Sequence, residues 1–496
     1  MAASRTAKAK KRKPVYVTWR RTEPVRPVGG CQRLVDSCET TLLAADWLGG
    51  REGRNPEDLA ERRAESLLKS NAGILREFNI EADVRRREGK AAITFLTGSR
   101  VGALPLLSPI TARPDFGLVV EPRFSWSSIG DVLNATGFRV VPQLLPLPEL
   151  PYSDRRIPPW VLSSIVLVRM KHLLDQLSRR FVTAKSDLCF PKGSVDWSAY
   201  ATTRLPRAQA LALPCTYPDL RDDETLRGAI HFVLREHRSS LMGQRFAGVV
   251  VMELLALCDS LLARVSGSIP IRPRGTDFTG WHRQSIVSRV FSEGLQAIEW
   301  TVDERGLAGL SELAGLSWRL DMETFFEGWV ETLAEQVGRE VGASVQAGRK
   351  EQTRVALDWR PSFVGSQKSL LPDVVLSTPD TTVVFDAKYK EHGEEIQQFG
   401  WRALADEVRE RHRADLLQVL AYSTLYDTRR VVSCLVYPCR PDTFADLLAR
   451  DRVVSRAIVH ATPKRTVELA LAAVPLAANV RPAVEGVREL VLRPIG

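Results

Sequence analysis

Pro372-Asp373-Val374-Val375-Leu376-Ser377-Thr378-Pro379-Asp380-Thr381-Thr382-Val383-Val384-Phe385-Asp386-Ala387-Lys388 is the stretch on which the fold turns. Val374 to Leu376 reads as a strand, Ser377 to Thr381 as a turn, and Thr382 to Lys388 as the returning strand. Such a hairpin brings Asp373 and Asp386 together. Side chains alternate along a strand, so Asp386 and Lys388 are expected on a polar face and Phe385 and Ala387 on a buried one. Pro379-Asp380 offers a second Pro-Asp pair, but it falls at the hairpin tip, where an acid forms the turn.

Two acids and a lysine so placed suit metal-dependent phosphodiester cleavage. That reaction needs an attacking water, an in-line leaving oxygen and neutralised phosphate charge, and Mg²⁺ on oxygen ligands supplies much of each. Asp373 and Asp386 are the expected ligands; Lys388 would orient the water or stabilise charge developing at phosphorus. It serves as a proton acceptor only if its pKa is lowered. The five motif residues alone also suit a solvated hairpin with an ordinary ion pair, because exposed strands often alternate charge.

The flanks add specificity. Upstream, Asp321 to Val330 opens an amphipathic helix with Phe326, Trp329, Val330 and Leu333 as its apolar stripe and Glu327 beside it; Glu323, one turn earlier, could serve in Glu327's place. Downstream, Asp415 to Tyr422 reads as a helix with Gln418 and Tyr422 one turn apart.

This order of helix with Glu, Pro-Asp strand, Asp-x-Lys strand and helix with Gln-x-x-x-Tyr resembles the PD-(D/E)xK restriction-endonuclease fold of the RecB-like branch. Within it the chain resembles McrC, the nuclease subunit of McrBC modification-dependent restriction systems. Phe325-Phe326-Glu327-Gly328-Trp329-Val330, Leu371 to Leu376, Val384 to Lys390, the Leu417 to Tyr422 helix and Cys434-Leu435-Val436-Tyr437-Pro438 carry that resemblance. Fainter likeness extends to Gly193-Ser194-Val195-Asp196, to Leu213 through Asp223, and to Gly117 through Phe124 with its Pro122-Arg123 pair. Leu226-Arg227-Gly228 stands where the family has an Asn-Arg pair.

The resemblance implies a DNA endonuclease in a restriction or anti-phage complex. Its catalytic set would be Asp373, Asp386, Lys388, Glu327 and Gln418. Mg²⁺, with Mn²⁺ as a substitute, would be held by Asp373, Asp386, Glu327 and the backbone carbonyl of Ala387. Lys390, Tyr422 and Arg413 are candidate DNA contacts, although a solvated charge is the plainer reading of Lys390 and Arg413, and Tyr422 reads equally as core. The implied partners are double-stranded DNA and an AAA+ GTPase of McrB type, into whose ring the N-terminal part would insert. Two other readings are a self-sufficient repair or processing nuclease and a non-catalytic scaffold.

Composition agrees. The chain has 496 residues, is 44% hydrophobic and carries a formal charge of +10, which suits a polyanionic partner. Phe246 to Cys258 is the longest oily stretch and Glu253 interrupts it, so a buried helix is expected, with no membrane span. No Gly-x-x-x-x-Gly-Lys-[Ser/Thr] occurs, so this chain is expected to bind no nucleotide itself. Seven scattered cysteines form no Cys-x-x-Cys pair. His231 and His237 lie six apart on an expected helix and read as core or surface; His392 and His412 lie nearer the acids, and His392 reads as solvated.

The expected fold is multidomain α+β. Residues 1–20 form a basic, disordered, cytoplasmic tail; 21–150 a mostly β domain and a candidate for partner binding; 151–315 a mainly helical middle; and 316–496 an α/β restriction-endonuclease-like domain. The Pro-rich run Val141 to Pro151 marks the first boundary, and Trp318 opens the last domain.

Overall fold

Strand Gly30–Val35 (β1) opens the described chain of the computed structural model, which covers residues 30–49, 55–145, 147–148, 150–151, 158–177, 180–221, 223–282, 288–303, 314–361, 365–390, 406–477 and 481–494. The basic segment 1–20 and His392 lie outside these residues.

Strands Glu39–Leu43 (β2), Ile80–Arg87 (β3) and Lys90–Thr97 (β4) form an antiparallel sheet in the order β2-β4-β3. Helix Pro56–Glu77 (α1) packs on it, burying Ala60, Ala64 and Leu67 beside Trp47, Phe78 and Phe95. The N-terminal region is thus less β-rich than expected. Helix α1 is an addition to that expectation, and Pro56 at its first turn, followed by Glu57 and Asp58, is a helix-start signature.

A second sheet joins β1 to Arg100–Leu106 (β5) and Phe116–Glu121 (β6). Its fourth strand, Trp318–Asp321, and fifth, Gln143–Leu144, come from much later in the chain. Trp318 pairs with Ala103 and Leu320 with Val101. Gly102 has a φ of +153°, and a Cβ there would stand 2.1 Å from the Trp318 carbonyl oxygen, so the close approach needs glycine. The expected boundary near residue 316 is therefore corrected: Trp318 belongs to the N-terminal sheet, and the Pro-rich run Val141 to Pro151 supplies that sheet with a strand.

The middle contains helices Pro159–Gln176 (α2), Glu224–Gly243 (α3), Val249–Val265 (α4) and Arg289–Val302 (α5). It also holds strands Arg180–Leu188 (β7), Ser194–Val195 (β8) and Leu213–Arg221 (β9), in the order β8-β9-β7. The mainly helical expectation missed this sheet, whose small core of Cys215 and Tyr217 gives little apolar periodicity. The faint likenesses at Ser194 and Leu213 are neighbours here: Ser194 pairs with Thr216 and Val195 with Cys215. Phe190, Trp197, Leu205 and Leu211 are exposed around it. No helix among the described residues is long and apolar enough to cross a membrane.

After strand Trp318–Asp321 (β10) comes helix Met322–Val341 (α6), capped by Asp321, whose carboxylate accepts from the amides of Glu323 and Thr324. A six-stranded mixed sheet follows. It comprises Ser344–Ala347 (β11), Val374–Ser377 (β12), Thr381–Ala387 (β13), Arg430–Cys439 (β14), Val454–Ala461 (β15) and Thr466–Pro475 (β16), in the order β11-β12-β13-β14-β16-β15. The expected hairpin is present, with Val374 opposite Phe385. β13 runs parallel to β14, and β14 to β16.

β13 is buried along both faces, which corrects the expectation of one polar face. Val383, Phe385 and Ala387 share a core with Phe325, Phe326 and Trp329 of α6. Val384, on the side of Asp386, packs with Tyr422 at the end of Asp406–Tyr422 (α7). A central strand covered by helices on both faces has no wet side. The largest core includes residues from β5, α2, α6 and β13 together, so the parts of this mixed α/β, multidomain chain are packed as one body around it.

Candidate active site

Asp373 sits just before β12, and Asp386 is the next-to-last residue of β13. The backbone N–H of Ala387 donates to Asp373 Oδ2 at 2.8 Å, which ties the two acids' strands at the end of the hairpin. From behind, the Gly348 amide donates to the Asp373 carbonyl at 2.7 Å, and Thr353 Oγ1 donates to the Pro372 carbonyl at 2.5 Å. Lys388 Nζ stands 2.8 Å from Asp386 Oδ2 as an ion pair. Asp386 is only 1% exposed, and its Oδ2 has no aligned hydrogen bond.

Electrostatics follow from this crowding. Burial, then the neighbouring charges of Asp386 and Glu327, raises the Asp373 pKa, against the opposing Ala387 amide and Lys388. Burial also raises that of Asp386, against the pull of Lys388. Glu327, projecting from α6, is pushed up to about 7 by burial and by Glu323, Asp321 and Asp386. For Lys388, burial disfavours the ammonium, but Asp386, Asp373 and Asp415 outweigh it and raise the pKa. Lys388 is therefore a standing positive charge, unsuited to accept a proton at neutral pH.

The two readings of the α6 acid separate cleanly. Glu323 is exposed, and its Oε1 accepts from Ser99 Oγ at 3.0 Å, on the N-terminal sheet. Glu327 alone of the pair bears on the hairpin acids. Asp380 is exposed at the hairpin tip, in the turn closed by the Thr378 amide on the Thr381 carbonyl, and its own carbonyl accepts from the Arg430 amide at the start of β14.

Gln418 is exposed on α7 and donates through Nε2 to Tyr422 Oη at 3.1 Å. Tyr422 is buried against Val375 and Val384. Burial raises its pKa, and Asp386 and Asp373 add to the rise, so the Gln418–Tyr422 pair borders the acids. Tyr422 is thus core, with only its hydroxyl toward the site.

Lys390 is corrected. Rather than standing free for phosphate, its Nζ lies 2.8 Å from both oxygens of Asp415, a buried acid of α7. Tyr437 Oη donates to Asp415 Oδ2 at 3.4 Å, and His412 Nδ1 lies 2.8 Å from Tyr437 Oη. This buried chain beside Asp386 escaped the sequence reading, although Asp415 stands one turn before Gln418. Arg413 is exposed and paired with Glu410 at 3.6 Å, as a surface charge. His237 is a core residue, its ring nitrogens 3.1 Å from the hydroxyls of Ser163 and Thr301.

Among the described residues no three His, Cys, Asp or Glu side chains are gathered closely enough to hold a metal ion by themselves. The expected cage of Asp373, Asp386 and Glu327 is accordingly not preformed. What the hairpin does offer suits a hard cation that keeps several of its waters: two carboxylates on neighbouring strands, disfavoured as anions chiefly by burial, and a buried carboxylate oxygen lacking an aligned donor.

Residues 306–438 match the family model described as McrBC 5-methylcytosine restriction system component. This segment is similar to the McrBC family. It spans Glu327, both hairpin acids, Lys388 and Gln418, so the likeness to McrBC systems read from the sequence is matched in this segment. Two solved structures are similar to the chain. One is the refined half-complex from the tetradecameric assembly of Thermococcus gammatolerans McrB AAA+ hexamers with bound McrC: 16% identity, 92% of this chain and 98% of that one covered, TM-score 0.40. The other is the cryo-EM structure of the T. gammatolerans McrBC complex: 12% identity, 62% and 88% covered, TM-score 0.25. No curated protein matches the chain.

Proposed function

We propose that this chain is the Mg²⁺-dependent DNA endonuclease subunit of a McrBC-like restriction complex, on a PD-(D/E)xK-type fold, cutting phosphodiesters when driven by an AAA+ GTPase partner. The observation that carries the reading is the meeting of Asp373, Asp386 and Lys388 at one end of a hairpin, within the segment similar to the McrBC family.

In this reading Asp373, Asp386, Glu327 and the Ala387 carbonyl would hold the cation. Bound there, Mg²⁺ would supply charge neutralisation and an acidified water. Lys388, held charged by three acids, orients the attacking water and faces the charge that builds on phosphate. Gln418, braced on Tyr422, borders the same acids and would order the polar groups around them.

The test is cleavage of methylated and unmethylated plasmid by the purified chain with Mg²⁺, with and without the neighbour-encoded AAA+ protein and GTP, and with Asp386→Ala as control. Cutting only with partner and nucleotide is expected. Cutting by the chain alone would make it a self-sufficient nuclease, and no cutting under any condition, with the variant indistinguishable, a scaffold.

A further inference from the structure

Tyr389, the residue directly after Lys388, is gripped by the N-terminal sheet. Arg123, just beyond β6, donates from Nη2 to the Tyr389 carbonyl at 3.1 Å, across 266 residues of sequence. Its guanidinium lies 4.4 Å from the centre of the Tyr389 ring and 5.4 Å from that of Phe124. Asp36, just beyond β1, locks the arginine from the other side: Oδ2 stands 3.6 Å from Arg123 Nε, and Oδ1 accepts from the Arg123 amide. The side chains of Arg123 and Asp36 are 5% and 0% exposed, and Tyr389 is 4% exposed. The Tyr389 ring also meets Phe124 edge-on at 5.8 Å and Phe326 at 6.4 Å; Phe326 is the residue before Glu327.

A buried ion pair is a poor means of gaining stability, since apolar packing of the same volume does as well or better. What a planar arginine adds is direction: it stacks on one group and hydrogen-bonds another in a fixed geometry. Here both contacts fall on the residue that sets where Lys388 points. The Tyr389 ring packs into the core with Phe326, whereas Lys388 pairs with Asp386 and Lys390 with Asp415, and the Lys390 amide closes a turn onto the Lys388 carbonyl at 2.8 Å, so clamping Tyr389 holds the turn that carries both lysines. β13 ends at Ala387, and past that point Lys388 keeps one ladder bond, from its amide to the Val436 carbonyl at 2.9 Å.

We infer that Arg123, locked by Asp36, is a positioning residue for Lys388, coupling the N-terminal sheet to the reacting centre through Tyr389. The inference rests on the nuclease reading of the Lys388 site. It implies that whatever shifts the β1–β6 edge, including a partner docked on the N-terminal region, changes the aim of Lys388 without touching it.

The test uses the full chain with its GTPase partner and compares wild type with Arg123→Ala and Arg123→Lys. Amide hydrogen exchange at Lys388 and Lys390 is read beside the Gly348 amide, which bonds the Asp373 carbonyl. Cleavage kinetics are read as kcat against KM for plasmid. In Arg123→Ala, exchange at Lys388 and Lys390 should quicken while Gly348 stays protected. Its kcat should fall by about tenfold to a hundredfold, the cost of a small misplacement, with KM and partner binding held. Arg123→Lys, which keeps the charge opposite Asp36 but not the planar fork, should fall between. Unchanged exchange, or loosened exchange with unchanged kcat, overturns the inference, as does protection lost evenly through the chain; if Arg123→Ala does not fold, Arg123→Lys decides on the same readings. If the wild-type complex cuts nothing, the nuclease reading fails by itself, and the exchange pattern alone decides whether the grip exists.

Discussion

Ala387 donates its backbone amide to the Asp373 carboxylate at 2.8 Å, so one acid of the hairpin is fixed by the residue next to the other. The donor is main chain, present whatever side chain stands at 387. Burial first, and then the Asp386 charge, disfavours the Asp373 carboxylate held there.

Asp386→Ala and Lys388→Ala should each lower cleavage by about a hundredfold or more, the scale on which single charge-stabilising groups act. Folding and partner assembly should persist. Asp373→Asn should do the same to activity yet raise the melting temperature of the metal-free chain by about 1–3 °C, because it removes a like charge from a buried pair. Calorimetry in EDTA beside the plasmid assay checks both; a lower melting temperature for Asp373→Asn would contradict the repulsion argument.

The two glutamates of α6 should part company. Glu327→Gln is expected to weaken cleavage by about tenfold or more, whereas Glu323→Gln, which touches only the Ser99 hydroxyl, should cut at close to the wild-type rate. Equal losses in the two variants would place the functional acid wrongly.

Gly348→Ala should loosen metal binding. A Cβ there would stand 2.4 Å from the Pro372 carbonyl oxygen, so the turn bearing Asp373 must move. Mn²⁺ titration followed by electron paramagnetic resonance should show affinity down by about tenfold, as for loss of an outer-shell support. Unaltered affinity in a folded variant would show that the turn gives way without disturbing Asp373.

Lys390→Ala should act on stability rather than on DNA. It leaves buried Asp415 without its cation, at a cost of about 1–3 kcal/mol. The salt dependence of DNA binding should stay as in wild type, since no phosphate contact is lost. A shallower salt slope with unchanged denaturation midpoint would restore Lys390 as a DNA contact.

His237 should make the fold acid-sensitive. Burial depresses its pKa to about 4, so between the ordinary value near 6.5 and about 4 the unfolded chain binds a proton that the folded chain refuses. Stability from this group is complete above pH 6.5 and is lost as pH falls through that window, by about 3 kcal/mol. Urea midpoints from pH 7 to pH 4, compared with His237→Gln, should show that portion of the loss vanish.

The hairpin, the α6 stripe and the Gln418 helix were legible because each is a local pattern: alternation, helical spacing and a turn of Ser, Thr, Pro and Asp. Several features were not. Helix α1 is an addition to the expected mostly β region despite its N-terminal signature, and the β7–β9 sheet has too small a core to show a period. Lys390 looked free because Asp415 lies 25 residues on, and only the packing of α7 over the sheet brings them together. Trp318 looked like the start of a domain because a strand's partners are not written in its own residues.

By itself the sequence determined which chemistry was available: two acids and a lysine at hairpin spacing, in a McrC-like order of elements. Periodicity is a property of consecutive residues, and hairpin contact follows from it. The tertiary structure alone decided which of those charges act together. It turned Glu327 toward the acids and Glu323 toward Ser99, neutralised Lys390 with Asp415, and set Arg123 behind Tyr389. The reason is physical: the state of an ionisable group depends on burial and on charges within a few ångströms, and those neighbours come from anywhere along the chain.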